Sequence, residues 1–345
     1  MTTQRKRKYN NPVSATLTGI RDLFRKQVPA GSLADSDRLD GKTVLVDGAS
    51  SGLGFAIATD CARRGARVIM ACRSGIPEKG EKIKRITGNQ DIHMLPVDFS
   101  DFHSIRKLVL AIREKFVSVD ISICNAGIVP RQSRKTPQGL EEMFMVNYFS
   151  KFILIKFLLE NHVLKIEVPD RPVLVAGKND ESPKTIPRII FVASESHRNP
   201  EKLEWDDFGK YKDYTIGKSI ELYGYYKLLL TTFSFELGRR LNPGGKARCS
   251  VFSMCPGPVN SNIAREAPKV FHPLLKIIFG IFFKSPAKAA VPVLYLAASP
   301  DLEGKVYDYL FLMGRKTIDE KAADPGNGQR LWKLSEDLLK TIENE

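Results

Sequence analysis

The 345-residue sequence predicts an α/β fold: a doubly wound parallel sheet with helices on both faces. Three observations support this. From Lys42 onward, short apolar runs alternate with amphipathic helical stretches. The runs are apolar at consecutive positions, as strands covered on both faces require, where half-exposed strands would alternate. Between the first run and the first helical stretch lies the glycine-rich segment VDGASSGLG. A dinucleotide's pyrophosphate would sit at such a strand–loop–helix junction.

Each element follows in order. KTVLVDG is a strand ending in a turn, GFAIATDCARRGA a helix and ARVIMACR the second strand. IHMLPVDFS is the third strand and DFHSIRKLVLAIREKF the helix after it. VDISICNAG is the fourth strand, and a long helix runs through GLEEMFMVNYFSKFILIKFLLEN. RIIFVASES, the helix YGYYKLLLTTFSFELGRRL and ARCSVFSMCPG complete six strands. This is the pattern of a Rossmann-type domain, here residues 40–345. Residues 1–39 form a basic N-terminal extension. Residues 165–187, rich in proline and charge, read as an inserted surface loop. Residues 258–287 follow the sixth strand and include VFHPLLKIIFGIFFK, which places an apolar, substrate-covering segment over the ligand crevice.

Composition narrows the function classes. Net charge is +14. Residues 1–26 hold seven basic side chains (Arg5, Lys6, Arg7, Lys8, Arg21, Arg25, Lys26) against the single acid Asp22. Such an arm suits a peripheral membrane contact, as does segment 268–283; a solvated terminus is the plainer reading. No aromatics interleave with those charges, so no specific nucleic-acid partner is expected. Cys61, Cys72, Cys124, Cys249 and Cys255 show no paired spacing, which fits free thiols in a reducing compartment. The five histidines lack metal-ligand spacing, so no metal is expected. With no secretory signal and no long apolar run, a cytoplasmic protein, peripherally membrane-associated at most, is expected.

The glycines Gly48, Gly52 and Gly54 would let backbone approach phosphate, with Ser50 and Ser51 adding hydroxyl donors and Leu53 between them. A bare turn is the alternative. Arg73, at the end of the second strand, stands where an acid would bind the free ribose 2′-hydroxyl of NAD. An arginine there accommodates the 2′-phosphate of NADP, unless it is only an exposed loop residue. Asp98 could accept from the adenine amino group or cap the next helix. Asn125, Ala126 and Gly127 end the fourth strand beside the nicotinamide half of the crevice, though Asn125 could bond neighbouring strands instead. Tyr223 and Lys227 are four residues apart and share a helical face. A lysine held beside a phenol lowers the phenol's pKa and readies it for proton transfer.

Taken in order, GASSGLG, ACRS, VDFS, CNAG, MVNYF, VASES, YGYYK and CPGPVNS resemble the short-chain dehydrogenase/reductase family over roughly residues 40–340. ACRS, VASESH, the apolar segment after PGPV and the C-terminal GKVY…RLWKLSEDLL are most similar to its retinol dehydrogenase and protochlorophyllide reductase-like branch. The resemblance implies a catalytic set of Asn147, Ser194, Tyr223 and Lys227. Tyr223 would exchange the proton, Lys227 would also hold the nicotinamide ribose, Ser194 would donate to the oxyanion, and Asn147 would hold a relay water. Ser196 competes with Ser194, and the motif alignment favours Ser194. Pro256 and Gly257 would border the nicotinamide, Val259 its carboxamide, and Ser261 a phosphate. Tyr225 and Tyr226 would be packing or pocket residues.

The implied function is NADP(H)-dependent interconversion of an alcohol and a carbonyl on a hydrophobic substrate, retinoid-, isoprenoid-, steroid- or fatty-aldehyde-like. A homodimer through the Asn147 and Tyr223 helices is a further implied partner. The rival reading is a non-catalytic dinucleotide-binding scaffold. Three departures bear on this: Asp47 where the family has threonine, Cys124 where asparagine is common, and a long Ser194–Tyr223 separation. An unpaired carboxylate at Asp47 would repel the pyrophosphate.

Overall fold

The computed structural model describes residues 28–164, 166, 186–259 and 284–344. The basic arm, the apolar segment 268–283, Ser261 and nearly all of the 165–187 insertion lie outside the described residues.

The first strand, β1 (Thr43–Asp47), is buried at all five positions, which explains its unbroken apolar sequence. It leads to α1 (Gly52–Arg63), β2 (Arg67–Cys72), α2 (Glu78–Thr87), β3 (Ile92–Pro96), α3 (Phe102–Lys115) and β4 (Ile121–Cys124). Next come α4 (Glu142–Phe144), a π turn (Met145–Phe149), α5 (Ser150–Glu160), β5 (Arg188–Val192), a 3₁₀ turn (Glu195–Arg198), α6 (Ile216–Leu241) and β6 (Ser250–Cys255). The chain ends with α7 (Pro286–Ala298), β7 (Tyr307–Phe311), β8 (Gly314–Arg315), α8 (Glu320–Ala323) and α9 (Pro325–Asn344).

The sheet has eight strands in the order β3-β2-β1-β4-β5-β6-β7-β8. All neighbours run parallel except β7 and β8. Two larger cores cover its faces. One gathers α3, α5, α6 and α9 around Phe152, Phe191 and Phe233; the other gathers α1 and α7 around Val46, Ile57 and Leu294. All five cysteines are buried free thiols.

Three expectations change. The sheet carries two strands, β7 and β8, beyond the six read in the sequence. The long helix over 139–161 is interrupted by the π turn that contains Asn147. The N-terminal extension is not wholly separate from the domain. Pro29 bridges Gly314 on β8, the Ala30 N–H donates to Met313 O at 2.6 Å, and the Tyr295 hydroxyl donates to Ala30 O at 3.1 Å. At the opposite edge β3 ends on Pro96. Among the described residues no helix is long and apolar enough to cross a membrane.

Candidate active site

Strand order reverses between β1 and β4, so a crevice opens beyond their carboxyl ends. The glycine loop leaves β1 there, and Asn125–Gly127 leaves β4. Gly48 and Gly52 adopt φ of +64° and +55°, which only glycine holds without strain. A methyl group on Gly54 would stand 2.4 Å from Gly48 O and 2.6 Å from Asn125 Nδ2, so the two turns are packed backbone to backbone. Helix α1 starts at Ser51 with no side-chain cap and no acid in its first turn. By contrast, Asp101 caps α3, accepting from His103 N at 3.1 Å. The uncapped N–H groups and the positive end of α1 suit a pyrophosphate.

At one end of the crevice, Arg73 Nη1 lies 3.5 Å from Asp98 Oδ2; the side chains are 59% and 37% exposed. Both line a cavity of about 350 Å³ with Pro96, Val97, Ser104 and Lys107. Asp98 Oδ1 accepts from the Ser100 N–H and hydroxyl at 2.9 and 2.7 Å. Burial alone would raise the Asp98 pKa, but Ser100 and then Arg73 outweigh it and hold the carboxyl below its ordinary value. Because Asp101 caps α3, Asp98 is free of the capping role that the sequence left open.

At the other end stand Tyr223 and Lys227 on α6. Gly224 between them lets the helix close on the 3₁₀ turn, since a methyl there would stand 2.9 Å from Ser196 O. Ser194 begins that turn. Its Oγ accepts from the Ser196 hydroxyl at 2.7 Å, which frees the Ser194 proton to be donated elsewhere. Ser196, the sequence-level competitor, therefore orients Ser194. Lys227 is buried and donates to Val192 O at 2.8 Å. Asn147 is fully buried, accepts from Ile128 N at 2.7 Å and donates to Ile128 O at 2.9 Å. Gly127 keeps the space between them open: a methyl there would lie 3.3 Å from Asn147 Oδ1 and 3.8 Å from Lys227 Nζ. Gly257, at φ +72°, follows Pro256 off β6, and Val259 bridges Lys284.

These geometries meet independent likeness to known proteins. The short chain dehydrogenase family model matches residues 42–166. Retinol dehydrogenase 14 of Homo sapiens is 30% identical, with 88% of each chain covered. Retinol dehydrogenase 12 of Mus musculus is 32% identical with 92% of each covered, and human retinol dehydrogenase 13 is 31% identical over 96% of this chain and 95% of its own. The chain belongs to the short-chain dehydrogenase/reductase family, in its retinol dehydrogenase-like branch. Among solved structures, an uncharacterised protein from Mycobacterium paratuberculosis superposes with a TM-score of 0.64 at 27% identity, covering 90% of this chain and 98% of that one. The Pseudomonas aeruginosa RhlG/NADP active-site complex shares the fold at a TM-score of 0.58 and 21% identity, covering 82% and 98%. As a member of this family the protein is an oxidoreductase of alcohol and carbonyl groups.

The electrostatics of this dehydrogenase/reductase correct two expectations. Burial, with a smaller contribution from Cys255, pushes the Tyr223 phenol well up; contact with Ser194 only partly offsets it. Lys227, 5.7 Å from the ring centroid, therefore does not hold the phenol below its ordinary value. Lys227 itself falls to about 8, through burial first and then repulsion from Lys151. The second correction concerns Asp47. Its carboxylate faces inward, fully buried, with Lys151 Nζ 2.9 Å away. It accepts from Asn125 N at 2.5 Å and also from Ala126 N. Paired and turned away, it presents no bare charge to a pyrophosphate. Asn125 bonds the end of β1: its Nδ2 donates to Asp47 O at 3.0 Å.

Three supporting residues went unread in the sequence. His197, fully buried and lowered to about 4 by burial and then Arg198, donates from Nδ1 to Ser194 O at 2.7 Å. Its Nε2 accepts from Asp319 N at 3.2 Å, fixing the neutral tautomer. Glu195 accepts from the Tyr309 hydroxyl at 2.8 Å and pairs with Arg198 and Lys316. Lys151 is the third. The ESH portion of VASESH and a lone lysine in an apolar run were the available signals. Tyr225 holds the long stretch between Ser194 and Tyr223 by donating to Glu204 O, and Tyr226 packs on Phe144 at 5.7 Å between ring centroids.

Proposed function

We propose that this protein is an NADP(H)-dependent oxidoreductase that interconverts a hydrophobic carbonyl compound and its alcohol, with Tyr223 handling the proton. The observation carrying the reading is that Asn147 and Lys227 meet at the side-chain-free Gly127 turn while Ser194 contacts Tyr223 on the same helix as Lys227, beside the glycine loop and the uncapped start of α1. Gly48, Ser50, Ser51, Gly52, Leu53 and Gly54 would hold the pyrophosphate, and Asp98 the adenine. Arg73, with Lys107 lining the same cavity, would meet the 2′-phosphate. Ala126, Gly127, Pro256, Gly257 and Val259 would border the nicotinamide half, and Ser261 would meet a phosphate. When bound, the dinucleotide supplies or takes up the hydride. In reduction the Tyr223 hydroxyl gives its proton to the carbonyl oxygen while Ser194 donates a hydrogen bond to that oxygen; oxidation returns the proton to Tyr223. The raised Tyr223 pKa keeps the side chain a phenol near neutral pH, the form that donates in reduction. Lys227 would hold the nicotinamide ribose.

A retinoid- or fatty-aldehyde-like substrate is supported by the retinol dehydrogenase relatives and by the apolar sequence 268–283. The rival reading, a non-catalytic scaffold, drew on Asp47, and the Lys151 pairing removes that support. A spectrophotometric screen of aldehydes and ketones with NADPH and NADH tests the proposal. Faster NADPH oxidation with retinal or a long-chain aldehyde than with short polar ones is expected. Dinucleotide binding without turnover of any compound would favour the scaffold.

A further inference from the structure

Asp47 and Lys151 form a buried charge pair beneath the cofactor crevice, each side chain only 1% exposed. The carboxylate is the last residue of β1, directly before Gly48. One of its oxygens takes the N–H groups of Asn125 and Ala126; the other faces Lys151. Lys151 lies one helical turn after Asn147, beyond the π turn, with its ammonium 4.4 Å from the centroid of the Phe99 ring. The turn that Asp47 grips is the one packed against Gly48 and Gly54. The titratable groups within the pair's electrostatic reach are Cys124 on β4 and Lys227 on α6.

A buried carboxylate here does two things at once. It organises backbone N–H groups more strongly than a neutral hydroxyl could. It also puts a negative charge under a site meant for phosphates, in surroundings where charge is poorly screened. A single buried ion is costly, and a paired one much less so. We propose that Asp47 and Lys151 are matched positioning residues: Asp47 pins the Asn125–Gly127 turn against the glycine loop, and Lys151 cancels the charge that would otherwise oppose the dinucleotide. This rests on the dinucleotide reading above.

The test uses the full-length protein and the variants Asp47→Thr, Lys151→Met and the double Asp47→Thr/Lys151→Met. NADPH binding is titrated by fluorescence at pH 6 and pH 8, and thermal melting is followed without cofactor. In Lys151→Met the carboxylate has lost its counter-charge, and burial drives it toward its protonated form as pH falls. That variant is expected to bind NADPH about tenfold more weakly at pH 8 than at pH 6. Wild type and the double variant should change less than about threefold across that range. A purely structural role would alter melting without producing this pH signature. If Lys151→Met does not fold, the pair is tested from its other side. Asp47→Thr strands a buried ammonium, so it must melt below the double variant. A folded Lys151→Met that follows wild type at both pH values, or a double variant no better than either single, overturns the inference. A wild type that binds no dinucleotide sinks the underlying reading and this inference together. Binding by wild type without the matched behaviour sinks this inference alone.

Discussion

The two ends of the crevice handle charge in opposite ways. At the adenosine end, Arg73 and Asp98 are partly exposed and pair loosely at 3.5 Å. At the proposed reacting end Lys227 is buried, as are Asp47 and Lys151 beneath the glycine loop, and each is committed to a partner: a counter-ion, backbone N–H groups or a carbonyl. An exposed pair gains little from its own contact and is easily redirected to a ligand. Buried charges are fixed, and they set the field in which a proton moves. On the proposed reading, recognition falls where charge is adaptable, and chemistry where it is not.

The largest test of this contrast is Tyr223→Phe. It should lower carbonyl reduction by about 10²- to 10⁴-fold while leaving cofactor binding nearly intact. A loss under about tenfold would remove Tyr223 from proton transfer. Arg73→Ala comes next, at the adaptable end. NADPH affinity should fall roughly tenfold to a hundredfold while NADH affinity holds. An equal loss for both dinucleotides would mean that Arg73 does not read the 2′-phosphate.

Lys227→Met probes the fixed end through stability. The folded state depresses this lysine from 10.5 to about 8. The folded protein therefore resists a proton that the unfolded chain accepts. The cost is present in full below pH 8 and fades as pH climbs toward 10.5. It is worth ~3 kcal/mol. Leaving Val192 O unpaired offsets about 1–3 kcal/mol of that. Urea denaturation at pH 7 should show the inactive variant stabilised by between zero and about 2 kcal/mol, with the gain narrowing above pH 8. A variant less stable than wild type at pH 7 would contradict the burial cost.

The smallest effect is expected for His197→Gln. Loosening the Ser194 carbonyl should cost about threefold in kcat. Its pKa is lowered from 6.5 to about 4, so wild type loses stability as pH falls between those values. The variant should lose less over the same window; identical acid denaturation curves would remove His197 from the fold's proton balance.

Much of this was legible in the sequence because buried parallel strands are apolar throughout and the glycine loop has a fixed place among them. The candidate site residues were legible as an ordered set. Other features left no periodic trace. Helix α2, EKGEKIKRIT, buries only Gly80 and Ile83, so it has no apolar stripe to read. The π turn around Asn147 changes backbone bonding without changing the pattern of buried side chains. Helix α7 begins within the segment assigned to substrate cover, because Pro286 starts a helix as readily as it ends one. The direction of the Tyr223 shift depends on three-dimensional burial, which spacing cannot convey. The Asp47–Lys151 pair is different. A lone acid in an apolar strand and a lone lysine in an apolar helix each demand a partner, and each could have been used to find the other.

The strand bridge at Pro29 has a consequence for how copies of the protein can meet. In the Pro29–Gly314 pairing, the Ala30 N–H is the group that reaches Met313. The nitrogen of Pro29 faces outward, and it carries no hydrogen. The opposite edge strand also finishes on a proline, Pro96. A sheet bordered in this way offers a newcomer a broken row of donors at both margins. Among the described residues, the addition of a further strand is thereby discouraged on each side.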